Sequence, residues 1–190
     1  MGTHLSDHNR GDARSPTPPD LLGSPLDFLY EDHLREREIC ALLDGIVASG
    51  TSDPENVAEA LSFLREELPL HLEDEEQDLF PLLRRRCAPE DEIERAITRL
   101  TSDHRHAEQD TAKVIAILSD LETGPGDLAD EARGALADYA VHARRHLILE
   151  NAIILRFARL RLTESDLQSL CLRMMQRRGL DRLMETCHAQ

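Results

Sequence analysis

Four long stretches of the chain repeat apolar residues every three or four positions, and this periodicity constrains the fold more than any other feature of the sequence. Such spacing places the apolar side chains on one face of an α-helix. No segment alternates apolar and polar residues as a half-buried strand would. The chain is therefore predicted to be all-α.

Proline, glycine and helix-capping residues divide this pattern into segments. Prolines 69 and 81 fall inside the second segment and are expected to kink or briefly break it. Short connections between long helices favour antiparallel neighbours, so the prediction is an up-down-up-down antiparallel four-helix bundle with an additional C-terminal helix. The predicted helices cover about residues 25–50, 53–86, 89–122, 127–161 and 163–179.

The chain length of 190 residues suits one folded domain with flanking segments. Residues 1–22 are polar and rich in proline and are predicted to be a disordered tail. Residues 23–162 are predicted to form the bundle. Residues 163–190 are predicted to hold the C-terminal helix, packed on or beside it.

Charge and cysteine content exclude several kinds of function. Asp and Glu number 37 against 22 Lys and Arg, and the formal charge of −15 argues against nucleic acid or anionic membranes as partners. The N-terminal residues contain no apolar run of the kind found in signal peptides or membrane helices, so a cytoplasmic location is predicted. The four cysteines form no CxxC pair and are expected to be reduced thiols.

Histidine and glutamate interrupt each apolar face. In a random arrangement they would seldom lie at matching heights, yet His71 lies 17 residues before the turn near Ala88 and His104 lies 16 after it. At about 1.5 Å per residue, His104 and His146, each 21 residues from the turn near Pro125, also match in height. The interrupting residues are His33, His71, Glu75, His104, Glu108, His142, His146 and Glu150.

Two pairs with a spacing of four, His71-x-x-x-Glu75 and His146-x-x-x-Glu150, can each present an imidazole and a carboxylate on one helix face. Buried groups of this kind are costly without partners, and a metal ion commonly resolves the cost. The two glutamates could bridge two ions while four imidazoles fill terminal positions. Two iron ions are the predicted cofactor, with manganese or zinc as alternatives.

The same elements resemble the hemerythrin-like, or HHE cation-binding, family over residues 25–160. The segments that carry the resemblance are Asp32-His33, His71-Leu-Glu-Asp-Glu75 followed by Leu79-Phe80-Pro81, Asp103-His104, and His146-Leu-Ile-Leu-Glu150. The resemblance implies that Glu75 and Glu150 bridge two irons. It implies terminal ligation by His33, His71, His104 and His146.

The sequence differs from the oxygen-carrying hemerythrins of invertebrates at two places. Those proteins offer two histidines four apart on the third helix and end with an aspartate ligand, whereas this chain has Glu108 and Glu150. The resemblance therefore favours bacterial sensor-like and iron-sensing relatives over reversible oxygen carriers. His142 and Glu108, one turn from predicted ligands, are predicted to orient a ligand or to add one. Glu36 is a weaker candidate for orienting a ligand, with a surface charge as the alternative.

The leading functional hypothesis is a non-haem di-iron protein that senses, buffers or detoxifies oxygen, nitric oxide, peroxide or iron. A small diatomic molecule or peroxide would then be its ligand. One alternative is an enzyme that reduces peroxide or donates iron for repair of iron–sulfur clusters, although that branch of the family usually has an N-terminal cysteine-containing domain. The other is an interaction bundle with a structural metal. A non-enzymatic role is favoured, and the physiological ligand and oligomeric state are left open.

The C-terminal segment 167–179 is amphipathic and carries three arginines. It is predicted to be a packing helix whose basic edge, formed by Arg173, Arg177 and Arg178, is solvated. A surface for a protein partner or a second subunit is the alternative.

Overall fold

The structure, a computed structural model, describes residues 15–50, 53–123 and 128–180. Within these residues the backbone forms five helices and no strand, which confirms the all-α class. The helices are α1 (Pro25–Ser49), α2 (residues 54–86), α3 (Ile93–Thr123), α4 (residues 130–161) and α5 (Glu164–Arg177). Short 3₁₀ helices, Pro19–Gly23 and Pro89–Asp91, precede α1 and α3.

The helix ends follow the capping residues of the sequence. α1 ends before Gly50, whose φ of 68° is readily adopted by glycine. The side chain of Asp53 accepts a hydrogen bond of 3.1 Å from the Glu55 amide at the start of α2. α3 begins later than predicted because the 3₁₀ turn at Pro89–Asp91 is separated from it by Glu92, which has a φ of 49°. The predicted start of the fourth helix near residue 127 lies outside the described residues.

Contacts between neighbouring helices run in reversed order along the chain. Asp27, near the start of α1, pairs with Arg159 near the end of α4, at 3.1 Å. At the other end, Arg133 donates a hydrogen bond of 2.7 Å to the Val47 carbonyl. Contacts of the same reversed order join α1 to α2, α2 to α3, and α3 to α4. The bundle helices are therefore antiparallel neighbours.

Three π-turns widen α2 and α4. They cover Phe63–Glu67, Asp74–Leu79 (the Glu75 turn) and Glu150–Ile154 (the Glu150 turn). Pro69 and Pro81 follow the first two, and the helix continues through both prolines instead of breaking. A proline lacks the amide hydrogen and clashes with the carbonyl four residues earlier, so a widened turn before it relieves both conflicts.

Two apolar clusters fill the bundle on either side of a polar layer. One contains side chains from the bundle and from α5, and the other contains side chains from the four bundle helices and Leu128, which precedes α4. Close-packed apolar walls on both sides lower the local dielectric constant and strengthen electrostatic interactions inside the layer. Representative members are Phe28, Leu79, Phe80, Ile154 and Met174 for the first cluster, and Ile39, Leu43, Leu61, Val114 and Leu136 for the second.

The segment before α1 is more ordered than predicted. Pro19–Gly23 forms a 3₁₀ helix, and the Leu22 side chain is completely buried in the first apolar cluster. The disordered tail therefore does not extend to residue 22, because burial of an apolar side chain offsets the entropy cost of ordering this turn. Residues 1–14 lie outside the described part of the chain.

α5 packs on the bundle through buried Leu170, Met174 and Met175. The predicted solvated basic edge is wrong for two of its three arginines. The side chains of Arg177 and Arg178 are only 14% and 13% exposed and pair with buried aspartates, whereas Arg173 is exposed. Buried carboxylates require such partners, which draws the two guanidinium groups inward.

Two further features bear on where the chain could reside. Among the described helices, none combines the length and the apolar character that crossing a membrane requires. Cys171 is disulfide-bonded while Cys40 and Cys87 are free, so the expectation of four reduced thiols is wrong. The cytoplasmic location stays a prediction.

Candidate metal centre

Six polar side chains from all four bundle helices form the layer between the two apolar clusters. The side chains of Glu75 and Glu150 are 0% exposed, and the least buried of the six, His146, is only 10% exposed. The structure thus brings together the six residues singled out from the sequence. They are His33 of α1, His71 and Glu75 of α2, His104 of α3, and His146 and Glu150 of α4.

The six side chains divide into two clusters that share both glutamates. In each cluster, one potential ligand atom from every residue lies within 4.8 Å of the others. The first cluster adds His33 and His71 to the glutamates, and the second adds His104 and His146. Each cluster offers two imidazoles and two carboxylates, so the arrangement can hold two cations side by side.

In the first cluster, the Nε2 atoms of both histidines face the carboxylates. His33 Nε2 lies 3.7 Å from Glu75 Oε1 and 3.4 Å from Glu150 Oε2. His71 Nε2 lies 3.7 Å from Glu75 Oε1. These separations exceed those of good hydrogen bonds, and they leave space between the nitrogen and oxygen atoms.

The second cluster is tighter. His104 Nε2 lies 3.6 Å from one oxygen of Glu75 and 3.6 Å from one oxygen of Glu150. His146 Nε2 lies 2.9 Å from His104 Nε2 and 2.7 Å from Glu150 Oε1. Two imidazole nitrogens that point at one another and at a shared carboxylate are arranged to donate lone pairs to one cation.

Unsatisfied atoms at the centre test whether metal ions fit. All four carboxylate oxygens of Glu75 and Glu150, together with His33 Nε2, are buried and lack a well-formed hydrogen bond, even though Glu150 Oε1 lies close to His146. Buried charged oxygens without partners carry a large desolvation cost. Metal ions between them would supply the missing partners, and the mixed nitrogen and oxygen donors suit iron.

A second ring of polar groups faces the Nδ1 atoms of the four histidines. A hydrogen bond at Nδ1 fixes the ring orientation and favours the tautomer that leaves Nε2 free to face inward. Three Nδ1 atoms have a hydrogen-bond partner: His33 with Asn151 at 3.1 Å, His71 with Asp32 at 3.3 Å, and His104 with Glu76 at 2.7 Å. The fourth, His146 Nδ1, lies 3.9 Å from Asp103 and is buried without a hydrogen bond.

Each of these partners is the immediate sequence neighbour of one of the six central residues on an adjacent helix. A neighbouring residue lies at nearly the same height but about 100° around the helix, so it faces the next helix instead of the centre. Sequence reasoning assigned the partners no role, although this adjacency was a usable signal. The neighbours are Asp32 beside His33, Glu76 beside Glu75, Asp103 beside His104, and Asn151 beside Glu150.

Electrostatics at the centre reflect competition between burial and charge. Burial alone would lower the pKa of His71, but the carboxylates of Glu75 and Asp32 outweigh it and raise the pKa to about 10. Burial would also lower the pKa of His146, but the Glu150 carboxylate outweighs it and raises the pKa to about 9. Burial would raise the pKa of the Glu150 carboxyl, yet the surrounding histidines hold it well below its usual range. In the metal-free chain, the raised pKa values therefore keep His71 and His146 protonated near neutral pH.

A small cavity of about 30 Å³ borders the centre. Its wall includes three of the central histidines, His71, His104 and His146, but not His33. Further polar groups in the wall are Glu36, Asp103, Tyr139 and His142. A volume of this size accommodates one or two molecules as small as water.

The additional candidate residues from the sequence are placed differently by the structure. His142 lines the cavity, and its Nε2 atom is buried without a hydrogen-bond partner. Glu36 is buried in the same wall, where burial raises the pKa of its carboxyl. Glu108 is exposed, and Ala107 takes the inward position at that level, so the expectation that Glu108 faces the site is wrong. His106, on the same helix, is exposed.

Comparison with known protein families agrees with this arrangement. The model of the hemerythrin HHE cation-binding domain matches residues 24–158, which include α1, α2, α3 and most of α4. No curated protein matches the chain. The matched range contains all six central residues, and it ends before α5.

Proposed function

Because the chain belongs to the hemerythrin HHE cation-binding family, we propose that its buried centre holds two iron ions and that the protein senses, buffers or detoxifies a small oxidant or diatomic gas. Members of this family are metal-binding domains. The choice of two ions, the choice of iron and the role in small-molecule chemistry are the parts that we propose.

We assign the ligands by cluster. His33 and His71 would bind one ion, and His104 and His146 the other. Glu75 and Glu150 would bridge the pair. The observation that carries this assignment is that all four oxygens of the two buried glutamates lack well-formed hydrogen bonds and that both residues belong to both clusters.

The cavity supports a ligand of two heavy atoms, such as oxygen, nitric oxide or peroxide. It adjoins three of the four imidazoles and has a volume of about 30 Å³, which excludes most organic substrates. His142 Nε2 has no partner among the described residues and can hydrogen-bond to such a ligand. Iron, when bound, supplies open coordination positions and reversible one-electron chemistry.

The polar groups of the cavity favour peroxide reduction as a second candidate activity. Reduction of hydrogen peroxide to two water molecules consumes two protons and two electrons. Two bound ferrous ions would supply the electrons and become ferric, and an external reductant would have to return them to the ferrous state for a further turnover. Burial raises the pKa of Glu36, which favours the protonated carboxyl beside the cavity, and His142 lies in the same wall. These two residues would hold and deliver the protons.

Iron loading tests the main proposal. The protein is prepared with ferrous iron under exclusion of oxygen, the metal content per chain is counted, and absorption is recorded before and after oxygen, nitric oxide and peroxide. The wild type should hold two irons per chain. A double variant, His71→Ala with Glu75→Ala, should hold fewer than one.

His106→Ala is the matched control, because His106 is an exposed histidine on the same helix as His104. It should load two irons and give the wild-type spectrum. Equal iron content in the double variant and the wild type would refute the site assignment.

His142→Ala separates the two candidate activities. If the protein senses a diatomic gas, the variant should still form an adduct but release it faster. If the protein reduces peroxide, turnover should fall at least tenfold while iron content stays at two per chain, because the loss is in proton delivery. Unchanged peroxide turnover would remove the support that His142 gives to the enzymatic candidate.

A further inference from the structure

Two arginines of α5 and Arg178, which directly follows it, meet two buried aspartates of α2. Arg177 reaches three carboxylates at once: it pairs with Asp74, donates to Asp78 at 2.8 Å and lies 2.9 Å from Glu73. Arg178 lies 2.7 Å from the other oxygen of Asp74, and Arg173 lies 2.7 Å from the other oxygen of Asp78. We call Arg173, Arg177 and Arg178 the arginine cluster.

The two aspartates lie in the Glu75 turn. Asp74 immediately precedes Glu75, and Asp78 lies one helical turn further on. The side chains of Asp74 and Asp78 are 0% and 2% exposed. The inner side of this turn therefore presents Glu75 to the metal centre while its outer side is bound by the arginine cluster.

Charge pairing of this kind restricts the geometry of the groups that it joins. A guanidinium group has a rigid fork of donors, and a pair with two carboxylates restricts both the distance and the orientation of the partner. Arg178 also lies over the Phe28 ring at 4.8 Å and donates to the Met174 carbonyl at 3.1 Å, which holds its own position. The guanidinium group of Arg178 is therefore held by Phe28 of α1 and by Met174 of α5 as well as by Asp74.

We propose that the arginine cluster is a positioning device for Glu75, so that α5, which lies beyond the residues matched by the family model, controls how tightly the centre retains its metal ions. Arg177 is the principal positioning residue. The inference rests on the proposed metal site. It predicts that disturbance of α5 near Arg177 loosens the bridging carboxylate without touching any ligand.

The test compares two variants of α5 in the full-length, iron-loaded protein. Arg177→Gln removes the contacts that Arg177 makes to the Glu75 turn and leaves those of Arg173 and Arg178 in place. Asp166→Asn is the matched control, because Asp166 pairs with Arg85 and Arg86 and caps the start of the same helix, away from the Glu75 turn. Both variants weaken the attachment of α5 to the bundle, but only Arg177→Gln is expected to change the position of Glu75 at the metal centre.

Four measurements are made on each variant: iron per chain, the rate of iron release to a chelator, the near-ultraviolet absorption of the loaded protein, and amide hydrogen exchange of the metal-free protein. Arg177→Gln should release iron at least tenfold faster than the wild type and shift the absorption. Asp166→Asn should match the wild type in both. Hydrogen exchange of the amides of residues 74–79 in the metal-free protein should accelerate in the first variant alone.

Two further variants keep the proposal testable if Arg177→Gln folds poorly. Arg177→Lys retains the charge but not the fork and should give an intermediate release rate. Asp74→Asn with Arg177→Gln removes a buried charge together with its partner and should fold while still releasing iron faster than the wild type.

Several outcomes would overturn the inference. Equal acceleration by Arg177→Gln and Asp166→Asn would reduce α5 to a purely structural role. Wild-type release and absorption in a folded Arg177→Gln protein would show that Arg177 does not position Glu75, and the proposal that it is the principal positioning residue would fail. If the wild type itself held fewer than one iron per chain, the proposed function would fail first, and this inference with it.

Discussion

The Glu75 turn and the Glu150 turn present the same side chain to the same centre but are held in different ways. In both, the backbone hydrogen bond that closes the turn spans five residues and ends at the carbonyl of the glutamate. The Glu75 turn is followed by Pro81 and has buried charges on its outer side. The Glu150 turn has no proline after it within the helix, and its Ile154 side chain lies in the apolar core.

A π-turn in this protein therefore does not require a following proline, and different neighbouring side chains hold the two turns. At the Glu150 turn, Asn151 donates a hydrogen bond of 2.9 Å to the Leu147 carbonyl and its oxygen faces His33. One side chain thus secures the backbone and a central histidine together. At the Glu75 turn these tasks are divided between the arginine cluster and residues of other helices. The widened geometry recurs at functional sites because it turns a side chain toward the centre.

Removal of each glutamate tests whether the two turns contribute equally to the centre. Because each glutamate belongs to both clusters, Glu75→Ala and Glu150→Ala should each reduce bound iron from two ions to at most one per chain. Elemental analysis of the purified proteins measures this. Glu108→Ala, a change to an exposed glutamate, should leave both ions in place. A variant that retained two ions would show that its turn is not a shared bridge.

Asn151→Ala removes both contacts that Asn151 makes at the Glu150 turn, one to the Leu147 carbonyl and one to His33. His33 would lose its Nδ1 partner, and loss of such an orienting contact typically weakens metal binding by about tenfold to 100-fold. Chelator competition should therefore show at least tenfold weaker binding of one ion. Asn151→Asp keeps the oxygen that faces His33 and should recover most of the affinity. Affinity unchanged by Asn151→Ala would mean that packing alone orients His33.

The sequence predicted the centre better than its surroundings. The six central residues were found because periodicity and height depend only on helix geometry, as with His104 and His146 at equal distances from one connection. Glu108 was misplaced because residues 107 and 108 differ by about 100° around the helix, which the apolar pattern of α3 did not resolve. The antiparallel arrangement of neighbouring helices was likewise predictable, because short connections between long helices favour it.

Tertiary contacts account for what the sequence could not reveal. Pro69 and Pro81 suggested breaks, because nothing local distinguishes a broken helix from a widened one. Arg177 and Arg178 resembled a solvated edge, because their buried partners lie about 100 residues earlier in the chain. The cavity depends on how Glu36, Tyr139 and His142 from two helices meet. These features follow from packing between distant segments.

The histidines that precede the two turns should titrate in a fixed order in the metal-free protein. The pKa of His71 is raised to about 10 and that of His146 to about 9, and Asp32 lies closer to His71 than Asp103 does to His146. A raised histidine pKa stabilises the fold below the unfolded value, near 6.5, and this stabilisation is lost as pH rises through the folded value.

Metal-free protein should therefore lose stability between about pH 6.5 and 10, with His146 deprotonated before His71 in an NMR titration. Denaturant unfolding at several pH values measures the first effect. The raised pKa of Glu36 acts in the same direction, because the folded state holds its proton longer. Asp32→Asn should lower the pKa of His71 toward that of His146. Iron-loaded protein should show a flatter profile, and a titration in the opposite order would contradict the assigned partners.

Pro81→Ala gives the smallest expected effect and separates two explanations of the Glu75 turn. If the proline forces the turn, the variant would regain ordinary helical hydrogen bonds and gain up to about 3 kcal/mol of stability. If the arginine cluster holds the turn, as the proline-free Glu150 turn suggests, the free energy of unfolding should change by less than about 1 kcal/mol. Iron content and absorption should then match the wild type. A shifted spectrum in Pro81→Ala, equal to that of Arg177→Gln, would make the proline and not α5 the element that positions Glu75.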